Sequence, residues 1–496
     1  MTLQTALLKS FKKYHNQNAI ITDNDSISYG ELFNKAGQIC SCFISKGCSK
    51  KIISLIFTSS EYYIYSMIGV LFSANIFMPL DVTHPIGRLL DCFISSESQL
   101  LITDKKTPLK VIETAQKQGI EILYIENILQ NYLHTDVFPN PNENDAIYVY
   151  FTSGSTGKSK AVLGKNQSLL HFIEWEKNEF SVSENDVFAQ MTSPAFDPYL
   201  RDIFTPLYSG AKIHLANRNV ILVPRLFGNF LHESNITYLH TTPSVLKSLM
   251  NFNFGENHFV KLKYVLIAGE VLPPNLVKNW YLNYNNRTIL VNLYGPTETT
   301  LAKVFSCIPS DFSDDIVPVG KPINNTKTYI MNEDVSLECS AGEIGEVYIE
   351  TDYMTHGYCN DKDCPTFGIN KNNKKWYATG DLGYIKEENL FLIGRKDDQK
   401  KIGGVRIDLN EIKNIVLMYD KDEIDDCIVL YEDTSLICFY ISPLEIDVRN
   451  MRVFLESRLL PIHIPHKFIK VHLFPITQNG KLDKNKLIRE CYDDKY

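Results

Sequence analysis

Residues 150–160, Tyr-Phe-Thr-Ser-Gly-Ser-Thr-Gly-Lys-Ser-Lys, hold the densest chemistry in the sequence. A β-prone run, Ala146 to Phe151, feeds a loop built only of Thr, Ser, Gly and Lys. Its glycines let the backbone bend where a Cβ would clash. The hydroxyls and exposed N–H groups of Thr152, Ser153, Gly154, Ser155, Thr156 and Gly157 can surround an anion, and Lys158 and Lys160 add positive charge. That is the chemistry of a phosphate cradle. The ending Gly157-Lys158-Ser159 imitates a P-loop, but a P-loop needs a glycine where this chain has Thr152, so the match fails.

Four other short runs could do chemistry: Tyr294-Gly-Pro-Thr-Glu298, Thr379-Gly-Asp381, Gly394-Arg-Lys-Asp-Asp-Gln399 and Asn479-Gly-Lys481. Taken singly, each has a plainer reading. Gly-Pro punctuates turns, Thr-Gly-Asp reads as a polar turn, Asn-Gly is a hairpin signal, and the charged run reads as a solvated linker.

The elements that must position these runs are read from hydrophobic patterning. Ile52–Phe57, Tyr264–Ala268 and Thr288–Tyr294 read as buried strands, and Glu61–Phe72 as a helix. This alternation predicts α/β layering with parallel sheets, and ligands beyond the carboxyl ends of strands. After Gly342 the texture changes. Glu346–Glu350 and Leu390–Ile393 read as short antiparallel strands, and a tail of strand and helix segments follows. A domain boundary is expected near Asp397, giving a large unit over 1–396 and a small α+β unit over 397–496.

The chain has 496 residues, 44% hydrophobic and 22% charged, with a net charge of −8. A mildly acidic surface disfavours nucleic acid as a partner. Eleven cysteines are scattered without a CxxC or a Cys/His cluster, which reads as free thiols. With no signal peptide pattern, a cytoplasmic setting is expected. The longest apolar stretch, around Tyr65 to Pro79, is too short and too polar to cross a bilayer.

The order and spacing of these runs resemble the ANL adenylate-forming superfamily, and within it the amino-acid-activating adenylation domains of nonribosomal peptide synthetases. Ile27–Leu32, Phe77–Asp81, Leu460–Pro465 and Pro475–Lys481 also resemble core motifs of that family, so the likeness spans almost the whole chain. The resemblance implies a large N-terminal domain of layered α/β subdomains with a β-barrel-like subdomain, then a small mobile C-terminal domain. It implies a two-step reaction. A carboxylate attacks the α-phosphate of ATP, giving an acyl-adenylate and pyrophosphate, and the phosphopantetheine thiol of a carrier protein then takes the acyl group.

Roles follow by resemblance and fit the side chains' chemistry. Lys481 would bridge the substrate carboxylate and the α-phosphate. Glu298 would hold Mg²⁺ as a hard oxygen ligand. Thr297 and the 152–158 loop would contact phosphate oxygens. Asp381, assisted by Arg395, would accept the ribose hydroxyls. Tyr294 would stack on adenine, with Gly295 following it and Asn292, Gly269 and Glu270 along the base's edge. Asp397 would be the hinge. Asp197, in Phe196-Asp197, would pair with an α-ammonium, which favours an amino acid over a fatty or aryl acid. The side-chain pocket would use Pro198, Arg201, His240, Leu266, Ala268, Leu293, Leu301 and Ala302. Either Arg201 recognises a polar or acidic side chain, or it turns outward to Asp202 or solvent and leaves an aliphatic pocket.

The sequence departs from the family pattern at Ser159, Ala161, Ala378, Thr355-His356 and Lys400–Gly404. None of these removes an expected adenylation residue, but the thioester step is less well marked. The expected form is a monomeric, freestanding or excised unit that loads a separate carrier protein. A D-alanine–carrier protein ligase, a carboxylate–CoA ligase and an inactive nucleotide- or carrier-binding scaffold are the alternatives.

Overall fold

The computed structural model describes the chain except for residues 24, 153–158, 257, 285–286, 333–337, 360–363, 370–372, 397–398, 403, 420–423, 433, 476–483 and 494–496. Two large sheets dominate the described residues. The six-stranded sheet runs in the order Glu121–Tyr124, Leu100–Thr103, Ile52–Ile56, Ile76–Pro79, Ala146–Thr152, Lys160–Lys165. It is parallel except where the last two strands pair as a hairpin around the phosphate-loop sequence.

The nine-stranded sheet is parallel at its centre. There Ile289–Tyr294, Tyr264–Ile267, Tyr238–Thr241 and Val187–Gln190 lie side by side. These strands are buried on both faces, as parallel strands covered by helices must be. One hydrophobic core joins the two sheets. It takes Leu55 and Phe77 from the first, Tyr238 and Val291 from the second, and Met67, Phe172 and Phe204 from helices Ser60–Phe72, Asn166–Glu179 and Tyr199–Ser209. Ser28 and Glu31, within the first expected family motif, form a reciprocal capping box that starts helix Tyr29–Ser45.

The barrel-like part is an antiparallel sheet of Thr326–Met331, Gly345–Thr351, Lys375–Lys386 and Phe367–Ile369, with Asn389–Arg395 paired to the long strand. Thr379-Gly-Asp381 lies inside that long strand rather than in a turn. Against Gly345–Thr351, the register steps from Tyr348↔Ala378 to Glu346↔Leu382, so the strand bulges at this tripeptide. A bulge re-aims side chains, and here it sets Asp381 opposite Arg395 of the neighbouring strand.

The C-terminal residues build a separate small core. Ile407, Ile412, Val416, Cys438, Met451 and Leu455 pack together without members from the large sheets. They come from a hairpin, Gln399–Ile402 with Val405–Asp408, from strands Asp426–Glu432, Ser435–Ile441 and Lys467–Lys470, and from helices Leu409–Leu417 and Val448–Glu456. Among the described residues the cysteines are free thiols, and no helix is long and apolar enough to cross a membrane.

Candidate active site

Strands Ala146–Thr152, Tyr264–Ile267 and Ile289–Tyr294 end at a common cavity of about 710 Å³. Open α/β sheets place ligands at this edge. The cavity wall carries Thr152, Asp197, Pro198, Arg201, Ala268, Gly269, Glu270, Asn292, Leu293, Tyr294, Gly295, Thr297, Leu301, Ala302, Asp381 and Arg395. Sixteen of the residues expected from sequence are therefore brought together, from strands far apart in the chain.

At one end Asp381 is buried between two partners. Arg395 Nη1 donates to its Oδ1 at 2.6 Å, and the Tyr294 hydroxyl donates to its Oδ2 at 2.6 Å. Burial and this carboxylate together hold the Tyr294 phenol well above its usual range. Asn292 donates to the Pro318 carbonyl at 2.9 Å. The Glu270 carboxylate ties three donors: Ser244 N–H, Ser244 hydroxyl and the Gly404 N–H, the last at 2.8 Å.

At the other end Asp197 precedes helix Tyr199–Ser209. Thr297 Oγ1 donates to its Oδ1 at 3.0 Å. Burial raises the Asp197 carboxyl to about 6, against the opposing pull of the Thr297 bond. Thr297 opens a short 3₁₀ turn, Thr297–Thr299, followed by Thr300 and Leu301 at φ of 68° and 58°. Left-handed non-glycine residues are uncommon and concentrate at functional sites. The Thr152 Oγ1, beside the phosphate-loop sequence, is buried with no hydrogen-bond partner among the described residues.

Three expected residues stand off the wall. His240 lies behind it, 1% exposed, with Nδ1 at 2.8 Å from Asp202 and Nε2 at 2.9 Å from Glu176. Its ring is held above the usual imidazole range despite burial, because two carboxylates face it. Leu266 belongs to the main core. Neither is among the residues that line this cavity. A parallel strand buried on both faces gives no sequence alternation to tell the cavity face from the core face. Glu298 is also buried, with Oε1 accepting from the Tyr358 hydroxyl at 2.8 Å. Among the described residues no cluster of three metal-ligating side chains exists. Ser153, Gly154, Ser155, Thr156, Gly157, Lys158, Asp397 and Lys481 lie outside the described residues.

The outward reading of Arg201 is overturned. Arg201 is 5% exposed and on the cavity wall, while Asp202 turns to His240. Sequence reasoning missed Arg88, Val317 and Lys400, which also line the cavity. It missed Glu176 as well. A signal existed there, because Glu176 falls on the apolar stripe of its helix with Leu169, Phe172 and Ile173.

A family model described as "AMP-binding enzyme" matches residues 7–359. Bacitracin synthase 1 of Bacillus licheniformis is 29% identical over 96% of this chain, which spans 9% of that protein. Zwittermicin A synthase ZmaJ of Bacillus cereus is 28% identical over 96% of this chain and 93% of its own length. Among solved structures, the adenylation domain AlmE of Vibrio cholerae, in complex with glycyl-adenosine-5'-phosphate, superposes with a TM-score of 0.85 at 19% identity, covering 99% of this chain and 98% of that one. An artificially fused adenylation-PCP di-domain NRPS from Klebsiella oxytoca gives 0.83 at 20% identity, with 94% and 93% covered. The o-succinylbenzoate CoA synthetase MenE of Bacillus subtilis gives 0.85 at 17%, with 97% and 98% covered. At these identities the structures establish the fold.

Proposed function

This chain belongs to the AMP-binding enzyme family, within the adenylate-forming ANL superfamily, and from that premise we propose that it activates an amino acid at the expense of ATP. One carboxylate oxygen of the amino acid bonds to the α-phosphorus, the bond from that phosphorus to the bridging oxygen breaks, and pyrophosphate leaves. The product is an aminoacyl-adenylate. The observation that carries the amino-acid reading is Asp197, a carboxylate on the cavity wall fixed by Thr297. A fatty or aryl acid has no group for it, whereas an α-ammonium would repay its desolvation. The glycyl-adenylate bound to AlmE agrees with this reading.

In this proposal Asp381 accepts the ribose hydroxyls with Arg395 behind it, Tyr294 lies along the adenine, and Gly269, Glu270 and Asn292 border the base. Thr297, Thr152 and the 153–158 loop hold phosphate oxygens, and Lys481 bridges the reacting carboxylate and the α-phosphate. A single buried carboxylate, Glu298, fits Mg²⁺, which characteristically combines one or two carboxylates with substrate phosphates. Bound there, the ion would offset phosphate charge. The unit 397–496 turns about Asp397, and a phosphopantetheine thiol on a carrier protein takes the acyl group in the cytoplasm.

A CoA-ligase reading has one supporting observation, the MenE likeness. Mixing the chain with ATP, amino acids together with fatty and aryl acids, and either a phosphopantetheine-bearing carrier or free CoA, then weighing the products, separates the two. An aminoacyl mass on the carrier supports the proposal, and a fatty or aryl acyl-CoA with no aminoacyl product refutes it.

A further inference from the structure

The geometry points to an amino acid with a second carboxylate on its side chain, glutamate or aspartate, received by Arg201. This inference rests on the amino-acid-activating function proposed above.

Arg201 lies in the first turn of helix Tyr199–Ser209, four residues beyond Asp197. Backbone bonds from Leu200 N to Asp197 O and from Arg201 N to Pro198 O close three-residue turns that lead from Asp197 into the helix. One cavity wall therefore carries a carboxylate and a guanidinium from the same short stretch of backbone. A guanidinium has five donors, no acceptor and a permanent charge. Arg201 Nε is sealed from water with no hydrogen-bond partner among the described residues. Among the described residues no carboxylate comes within ion-pairing distance of Arg201, although Asp197 feels its charge, as does His240, which Asp202 and Glu176 flank. One oxygen of each of the latter two bonds His240.

A buried charge left unpaired is costly unless something completes it. The same cavity wall also carries the apolar side chains Leu293, Leu301, Ala302 and Val317. The pocket therefore presents a negative group, a positive group and an apolar lining. An acidic amino acid presents the complementary pair, its α-ammonium and its side-chain carboxylate, a few bonds apart. A neutral aliphatic side chain would leave Arg201 unpaired, and a basic one would be repelled. A carboxylate can take two parallel N–H bonds from the fork, which a carboxamide cannot match with charge.

The test is ATP–pyrophosphate exchange by the full chain with L-glutamate, L-aspartate, L-glutamine, L-asparagine, L-leucine, glycine and D-alanine. The expected result is a kcat/KM for glutamate or aspartate at least tenfold above its amide and above leucine. Arg201→Ala should cut the acid-to-amide ratio at least tenfold, and Arg201→Lys should restore part of it. Because the ratio is taken within one preparation, it does not depend on how much of a variant folds. A wild-type preference for a neutral amino acid overturns this inference and leaves the proposed activation standing, as does an unchanged ratio in Arg201→Ala. Exchange with no amino acid overturns both.

Discussion

Asp197 faces two demands that pull its proton in opposite directions. Burial favours the neutral acid and lifts the carboxyl to about 6, while pairing with an ammonium requires the anion. The kcat/KM for the amino acid should therefore fall as pH drops through about 6, by up to about tenfold per pH unit. A flat profile across that range contradicts the assignment. The folded carboxyl sits above its ordinary 3.8, so the cost of holding it charged is present above about pH 6 and vanishes towards pH 3.8. Asp197→Asn should then raise the Tm at mildly alkaline pH, leave it nearly unchanged near pH 4, and abolish exchange. Asp381 carries a different load, with Arg395 and Tyr294 each taking one of its oxygens. Asp381→Asn strips the charge from that pair of bonds, worth about 1.5–3 kcal/mol, and should raise the KM for ATP about tenfold or more in a titration of exchange rate against ATP.

At the scale of elements, what the sequence could tell depended on how local the cause was. Strand ends followed by Gly, Pro and hydroxyl residues were legible, because turn chemistry is written in adjacent residues. The bulge that aims Asp381 was not, since it arises from register with Gly345–Thr351, a segment about thirty residues away. The faces of Tyr238–Thr241 and Tyr264–Ile267 were not legible either, because both faces are buried and the pattern carries no phase. That is why the sequence could not tell which side chains of these strands, His240 and Leu266 among them, face the cavity. Gly295 shows how tightly the site's turn is built. A Cβ there would lie 2.2 Å from the Leu301 carbonyl oxygen and 2.8 Å from the Ala302 Cα. Backbone must move to admit it, so Gly295→Ala should lower stability by about 1–3 kcal/mol in a denaturant titration and displace Leu301 and Ala302 from the wall.

Across the whole molecule, the C-terminal residues meet the large sheets at a few polar points. Gly87 N donates to the Ser457 carbonyl at 3.1 Å, Gly404 N to Glu270 at 2.8 Å, and Arg88 approaches Glu411 at 4.0 Å. Burial lifts the Glu411 carboxyl to about 7, and the Arg88 guanidinium opposes that rise. Arg88→Ala would leave Glu411 buried without its counter-charge, and limited proteolysis should then release the C-terminal part several-fold faster. None of these contacts was legible, because each joins residues whose partners are set by how the two parts dock. The family and the broad plan of the chain were legible, because short motifs keep their order from Ile27–Leu32 to Asn479–Lys481. The central claim is that this assembly activates an amino acid at ATP. Amino-acid-dependent exchange of labelled pyrophosphate into ATP, with the Lys481→Ala variant alongside, tests it most directly. The account predicts label in ATP with an amino acid present, none without it, and a loss of about a hundredfold or more in Lys481→Ala. ATP binding without exchange for any amino acid, or near-normal exchange in that variant, would contradict it.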